Sequence, residues 1–276
     1  PTIHPGFTEM LGMCYDNKIC VSLSTNNTFS SQVAAKFNKS LIRWVSINYV
    51  FNRVNNKQRF LFRDNLGQLN ALKIPFEFSY IIGYEDDNLS EFFEDTKIYK
   101  PFSIRASVVI PGLSKQTSIL ELTSNFKLIS KRLFDFQEKC IKSNVPFYIY
   151  RPLMPCLFSA QDYRRLTKDF SFICYTRCPL GARGDYSATV VVNPDLSIFP
   201  CIALFFKGPN ILTFKNRKEI SIFYKQNIKK MLTQPLITSC LTCDKRDNFL
   251  DNLDRGEKSD LKSCFKHSLC QGGCLS

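Results

Sequence analysis

Long apolar runs are missing from this chain of 276 residues: no stretch of eighteen consecutive apolar side chains occurs in it, and no basic segment followed by a short apolar one opens it. A membrane-spanning helix needs roughly 20 predominantly apolar residues, and a secretory leader needs the basic-then-apolar order. The expectation is therefore a soluble, cytoplasmic protein with no membrane partner, whose thiols stay reduced. Histidine is scarce. His4 and His267 are the only two, both in expected loops, so no histidine constellation supports hydrolytic chemistry. Concentrated positive charge is absent as well. The formal net charge is +13, but Lys and Arg are scattered from Lys18 to Lys266, and the nearest approach to a run, Lys225 to Lys230, reads as a solvated helix face. Nucleic acid selects a clustered basic face, so a nucleic-acid partner is not expected.

Cysteine is what the sequence has in excess, and it is unevenly placed. Eight of twelve fall between Cys174 and Cys274, spaced Cys174-x3-Cys178-x22-Cys201 and then Cys240-x2-Cys243-x20-Cys264-x5-Cys270-x3-Cys274. Thiolates this close in sequence can converge on one metal centre. Three chemistries compete for them. A disulfide framework suits small secreted domains with too little core, and this chain is 44% hydrophobic. Structural zinc takes four ligands and commonly shows two Cys-x2-Cys pairs, where here only Cys240 and Cys243 form one. Zinc stays open on spacing. Iron–sulfur ligation leads, since eight cysteines suffice for two four-thiolate clusters.

The first half of the chain alternates strand and helix signals. After a loop, a short helix is expected near Thr8, and Ile19–Ser24 reads as a strand closed by Thr25-Asn26-Asn27. Helical character follows at Ser30–Phe37, a strand at Arg43–Phe51, a short helix at Asn65–Leu72, a strand at Pro75–Gly83, a helix from Leu89 and a strand at Ser103–Pro111. The clearest helix is 117–142, where Leu122, Phe126, Ile129, Leu133 and Phe136 make a core stripe; a fifth strand covers Val145–Tyr150. Such alternation predicts βαβ units and a parallel sheet, open or curled into a barrel. Ligands of such sheets sit at the carboxyl ends of the strands. That places Thr25, Asn26, Ser46, Asn48, Ser79, Arg105, Ser107 and Arg151 in view, each equally readable as an ordinary polar group satisfied by its neighbours.

Beyond residue 155 the alternation stops. A hairpin is expected from Ala188–Val192 and Ile198–Cys201 around Asn193-Pro194-Asp195, then a helix from Lys218 to Leu232. The remainder is loop with a charged insertion between Asp244 and Lys262, a segment that needs a metal staple. The fold class expected is α/β: a partial parallel (β/α) barrel over 1–155, followed by a small cysteine-rich α+β auxiliary-cluster domain over 156–276.

Three stretches together resemble the radical S-adenosylmethionine enzymes that carry a SPASM or shorter twitch extension. Asn193-Pro-Asp-Leu-Ser-Ile-Phe-Pro-Cys201 is similar to the family's turn before a Pro-Cys ligand, with Leu196 where a glycine is usual. Cys240-x2-Cys243 with Cys270-Gln-Gly-Gly-Cys274 resembles the end of the SPASM ligand set, and Pro1-Thr-Ile-His-Pro-Gly-Phe resembles the region at and after the Gly-Gly-Glu-Pro motif. The resemblance covers nearly the whole chain.

It implies a peptide- or protein-modifying enzyme in which a four-iron four-sulfur cluster cleaves S-adenosylmethionine to a 5′-deoxyadenosyl radical. It also implies that auxiliary four-iron four-sulfur clusters in the extension pass electrons or hold substrate, with a peptide or protein substrate and an electron-donor protein as partners. Carried over by motif, Cys178, Cys201 and Cys274, with Cys174 as fourth, would ligate one auxiliary cluster; Cys240, Cys243 and Cys270 would ligate the other, its fourth ligand being either Cys264 or a later cysteine of a chain truncated at this end also. Thr25, Asn26, Ser46 and Asn48 would contact S-adenosylmethionine. In the family the catalytic cysteine loop lies before Gly-Gly-Glu-Pro, and no Cys-x3-Cys-x2-Cys occurs here; Cys14 and Cys20 read as ordinary buried or free thiols. The expectation is thus an incomplete chain lacking the first strand and catalytic loop. Ile202 after the Pro-Cys ligand, where sulfatase-maturing members carry an acidic residue, disfavours that activity. The competing class is a non-catalytic metal-binding or partner-binding protein that keeps the fold.

Overall fold

Alternating apolar side chains along short β-forming stretches, each followed by a stretch with helical spacing, assemble here into one parallel sheet. The computed structural model describes residue 2 and residues 4–49, 56–82, 89–108, 119–149, 161–162, 190–199 and 208–232, the side chains of 119–127 and 228–232 excepted. The elements of the first part are α1 (Phe7–Asp16), β1 (Val21–Thr25), α2 (Ser31–Ala34), β2 (Ile42–Asn48), α3 (Asn56–Ala71), β3 (Phe76–Ile82), α4 (Leu89–Tyr99), β4 (Ser103–Val108), α5 (Ile119–Lys142) and β5 (Phe147–Ile149). The five strands form a parallel sheet in chain order, β1-β2-β3-β4-β5. This is the expected α/β architecture, consistent with a partial (β/α) barrel. The chain divides into two compact units, Pro1–Ser107 with Lys131–Tyr148, and Val108–Ser130 with Ile149–Ser276.

In the first unit the pleat sorts side chains by chemistry. Phe76, Phe78, Tyr80 and Ile82 of β3 lie on one face with Val45 and Ile47 of β2 and Ile104 and Ala106 of β4, all buried. The helices cover that face through an aromatic layer. The Tyr80 and Phe136 rings stack at 5.0 Å between centroids, and Phe92 meets Tyr80 at 4.6 Å and Tyr49 edge-on at 4.8 Å. Each fully buried large side chain contributes roughly 1.5–3 kcal/mol of transfer free energy, so α3, α4 and α5 are held chiefly here. The alternating steps of four and three expected along α5 place Leu133, Phe136 and Cys140 at 0% exposure.

The helices end without glycine. Lys18, Lys73, Lys100 and Asn144, each just past a helix, adopt left-handed φ values of 54°, 55°, 52° and 50°. Three of these exits close with a backbone bond spanning five residues, Ile19 N–H to Cys14 O, Ile74 N–H to Leu69 O and Val145 N–H to Cys140 O, and an apolar residue follows the left-handed one each time.

Among the boundaries that differ from expectation, two bear on residues singled out in the sequence. Helix α3 begins nine residues before Asn65, at Asn56, because Phe62, Leu66 and Leu69 at steps of four and three bury one stripe of an otherwise polar segment. Cys20, expected inside a strand, precedes β1 and is exposed, and Cys14 in α1 is half-buried.

The described part of the second unit is a hairpin, β6 (Val191–Val192) antiparallel to β7 (Ile198–Phe199), a 3₁₀ turn at Ile211–Thr213, and α6 (Arg217–Leu232). Ile198, Ile220 and Tyr224 form its buried cluster, with Val190, Ile211, Phe214 and Phe223 against it. The Asp195 carboxylate accepts from the Ser197 N–H at 3.0 Å and the Ser197 hydroxyl at 2.6 Å, and Leu196 takes φ 63°, the conformation that favours glycine at this turn. Among the described residues no helix is long and apolar enough to cross a membrane.

Candidate functional site

The sheet face away from the aromatic layer carries polar residues at alternate positions. Ser24, Ser46 and Glu77 stand opposite one another across β1, β2 and β3, and Asn48 stands opposite Ser79. Ser103, Arg105 and Ser107 continue this face on β4. A row of hydroxyl, amide, carboxylate and guanidinium groups in a sheet is costly to bury unless the groups satisfy each other or a ligand.

Two groups of contacts organise the face. Toward the carboxyl ends of β1 and β2, the Asn48 amide donates to the Asn26 amide oxygen at 3.2 Å. This leaves the Asn26 amide nitrogen and the Asn48 amide oxygen without a partner among the described residues, a donor and an acceptor side by side. One layer deeper, Ser46 is only 4% exposed and its hydroxyl has no hydrogen-bond partner among the described residues. An orphaned buried hydroxyl costs about 1–3 kcal/mol, so Ser46 is a position where a ligand hydroxyl or amine would be rewarded.

The second group centres on Glu77, 3% exposed. Its carboxylate accepts from the Tyr148 hydroxyl at 2.7 Å and the Ser103 hydroxyl at 3.4 Å, and lies 3.6 Å from the Arg105 Nε. A guanidinium nitrogen of Arg105 also donates to the Ser79 hydroxyl at 3.3 Å. The buried charge is thus paired and hydrogen-bonded from β4 and β5, which fixes the Arg105 side chain beside the site.

Of the expected contacts, the structure brings Asn26, Ser46 and Asn48 to one face and puts Thr25 elsewhere. Thr25 points to the helix side, 5% exposed, where its hydroxyl accepts from the Asn27 N–H at 3.1 Å and shapes the turn that ends β1. Ser79 and Arg105 meet directly, and Ser107 shares their face. Arg151 and the eight clustered cysteines, Cys174, Cys178, Cys201, Cys240, Cys243, Cys264, Cys270 and Cys274, lie outside the described residues, as does His267. Among the described residues no three His, Cys, Asp or Glu side chains gather as metal ligands. Glu77 and Tyr148 were not legible as site residues; the available signal was a single carboxylate inside the apolar run Phe76-Glu-Phe-Ser-Tyr80.

Behind the site, Tyr49 follows Asn48 into the aromatic layer. Its hydroxyl donates to Asp95 of α4 at 2.8 Å, and Asp95, 1% exposed, accepts from the Arg63 Nε of α3 at 3.0 Å. Burial, the bond to Asp95 and the nearby carboxylates hold the Tyr49 phenol far above its ordinary range, so it stays protonated.

In (β/α) folds ligands gather at the carboxyl ends of the parallel strands, the end at which Asn26 and Asn48 stand. Among solved structures, the chain is similar to the crystal structure of Streptococcus suis SuiB bound to S-adenosylmethionine, with TM-score 0.55 and 13% identity over 88% of this chain and 57% of that one. It is similar also to the crystal structure of Streptococcus suis SuiB, with TM-score 0.54 and 15% identity over 94% of this chain and 62% of that one. At these identities the likeness establishes a shared fold, and the chain spans about six-tenths of the SuiB chains. No family model and no curated protein sequence matches it.

Proposed function

We propose that the chain belongs to a radical S-adenosylmethionine enzyme that modifies a peptide or protein, and that the amide-ended polar face of β1 and β2 holds S-adenosylmethionine. The observation that carries this reading is the orphaned Ser46 hydroxyl beneath the Asn26–Asn48 amide pair. The fold shared with SuiB and the cysteine spacing of the last hundred residues support it.

The residues present fit the cofactor. The Asn26 amide nitrogen offers donors to a carboxylate, and the Asn48 amide oxygen accepts from an ammonium or a ribose hydroxyl. The buried Ser46 hydroxyl would pair with a ligand hydroxyl or amine. Thr25 keeps the turn that presents Asn26. When bound beside a reduced iron–sulfur cluster, S-adenosylmethionine supplies one-electron chemistry that abstracts hydrogen from a substrate. Arg105, pinned by Glu77 and Ser79, gives the neighbouring stretch of the face a fixed cationic group that can orient a substrate carbonyl or carboxylate.

The eight clustered cysteines would hold auxiliary clusters, Cys174, Cys178, Cys201 and Cys274 in one set and Cys240, Cys243, Cys264 and Cys270 in the other, with an electron-donor protein as partner. Fully thiolate-ligated clusters suit electron transfer.

Titration calorimetry of the purified chain with S-adenosylmethionine should show saturable binding. Ser46→Ala and Asn48→Ala should each weaken it about five- to tenfold, as expected for about 1 kcal/mol per lost hydrogen bond. Absence of binding at millimolar ligand would overturn the cofactor reading. Anaerobic reconstitution should give broad absorption near roughly 400 nm and about four to eight irons per chain; a colourless protein with stoichiometric zinc would refute the clusters.

A further inference from the structure

The two amides that face the proposed ligand are followed in sequence by two residues anchored behind the sheet, and the same turn of α3 serves both. Asn27, 0% exposed with φ 59°, donates from its side-chain amide to the Phe62 carbonyl at 2.9 Å. Its own carbonyl accepts from the Asn65 side chain at 2.9 Å, and that same Asn65 amide reaches the Phe29 carbonyl at 2.9 Å. Three bonds therefore clamp the end of β1 to residues 62–65. Tyr49 takes the matching place after β2. Its N–H donates to the Ser79 carbonyl at 2.9 Å, its ring meets Phe62 edge-on at 5.5 Å, and its hydroxyl reaches Asp95, which Arg63 holds in turn.

Successive residues of an extended chain point to opposite faces. After β2 this means that fixing Tyr49 behind the sheet fixes the direction of Asn48 in front of it; after β1, where Asn27 has left the extended region, the three bonds to α3 fix the turn that carries Asn26. A side-chain amide on an unanchored strand end samples several rotamers, and selecting one costs free energy at the moment of binding. The energy spent burying Asn27, Asn65 and Asp95 is more than packing requires: apolar residues would fill the same volume without hydrogen-bond obligations. What the polar groups add is direction.

We propose that Asn27 and Tyr49 are positioning residues, locked by Phe62, Arg63 and Asn65 of α3 and Asp95 of α4, that hold the Asn26 and Asn48 amides in register for the ligand. The identity of that ligand rests on the S-adenosylmethionine reading above; the positioning itself does not. Tyr49→Phe removes one hydroxyl and keeps the ring. Asn65→Leu keeps the volume and removes the donors to the β1 turn.

The test combines two readouts on the full chain. Selective ¹⁵N labelling of asparagine follows the Asn26 and Asn48 side-chain amides, and native-state hydrogen exchange follows the backbone. In Tyr49→Phe, exchange should accelerate locally at residues 47–49, and in Asn65→Leu at residues 26–29. In both, the Asn48 side-chain amide, which donates to Asn26, should move toward solvent-exposed values. S-adenosylmethionine should bind about five- to tenfold more weakly to each, because the amide that faces it is no longer held in one orientation before binding. Acceleration by one common factor throughout the unit, or side-chain resonances unchanged from wild type, would show ordinary core residues and overturn the proposal. So would unchanged affinity in both variants beside wild-type protein that binds. If wild-type protein binds no S-adenosylmethionine, the cofactor reading fails while the resonance and exchange results still decide the positioning.

Discussion

Breaking the ion pair behind the site should cost more than a surface salt bridge and less than a fully buried one, and the chain carries its own reporter for the measurement. Arg63 approaches Asp95 at 3.0 Å, with the Arg63 side chain 40% exposed and that of Asp95 1%. A hydrogen bond to a charged group is worth about 1.5–3 kcal/mol in protein interiors, and exposed pairs contribute about 0–1 kcal/mol. Arg63 also reaches Glu91 at 3.0 Å and borders an open groove of about 820 Å³, lined by Phe60, Gln68 and Tyr99 among others, so water screens one end of the pair. The coupling energy expected from the cycle Arg63→Met, Asp95→Asn and the double variant is therefore about 1–2 kcal/mol. Arg63→Met alone should cost more, about 2–4 kcal/mol, because it leaves a buried carboxylate with less of its compensation. Trp44, the single tryptophan, sits on β2 with the Arg43 guanidinium 5.4 Å from its ring centre. Its fluorescence in urea reports on this unit alone, and with a slope of about 2 kcal/mol per molar the coupling appears as a midpoint difference of roughly 0.5–1 M. A coupling below about 0.5 kcal/mol would place the pair with solvated surface bridges and refute the account of Asp95 as a buried anchor.

Further measurements follow from the same geometry. Cys20 should react with a maleimide in the native protein, whereas Cys140, whose thiol burial pushes well above its ordinary range, should be labelled only after unfolding; mass spectrometry distinguishes them. Burial raises the Tyr49, Cys140 and Tyr224 groups, Tyr224 to about 12, so the fold prefers their neutral forms. Their stabilisation is complete below the ordinary values of 9.0 for cysteine and 10.0 for tyrosine and is lost as pH rises, which predicts a melting temperature that falls from about pH 9 upward. Lys73→Gly removes a left-handed lysine whose φ is 55°, and should stabilise the first unit by about 0.5–1 kcal/mol in the Trp44 assay. Gly208→Ala should destabilise the hairpin, since a Cβ there would meet the Ile198 carbonyl oxygen, which cannot move without breaking its bond from the Gly208 N–H; faster hydrogen exchange at residues 190–199 is the readout.

The order and type of the strands and helices were legible because period-two and helical apolar spacings alternate cleanly from Val21 to Ile149. The start of α3 was not, because residues 56–61 are mostly polar and become helical through the burial of Phe62, Leu66 and Leu69. Helix ends were obscured by lysine and asparagine standing where glycine usually marks the exit. That Asn26, Ser46 and Asn48 share one face follows from alternation along β1 and β2. Thr25 could have been set apart from Asn26 by alternation alone, since neighbours along a strand cannot share a face. Tyr49, Asp95 and Glu77 gave no comparable signal. Each acts through a partner at least 26 residues away, and such pairing is a property of the folded sheet rather than of any local stretch.

The sheet's strand order bears on how this site comes into being during synthesis. Every strand lies beside the one translated just before it, so each new βα segment can dock on a surface already made, with short loops to close. The aromatic layer grows in the same sequence, from Tyr49 through Phe78 and Phe92 to Phe136. Glu77, however, waits for Ser103, Arg105 and finally Tyr148 before its carboxylate can leave water. A ribosome-bound chain arrested ahead of Tyr148 would hold most of the sheet with the floor of its polar face still hydrated, and the emergence of β5 would seal it.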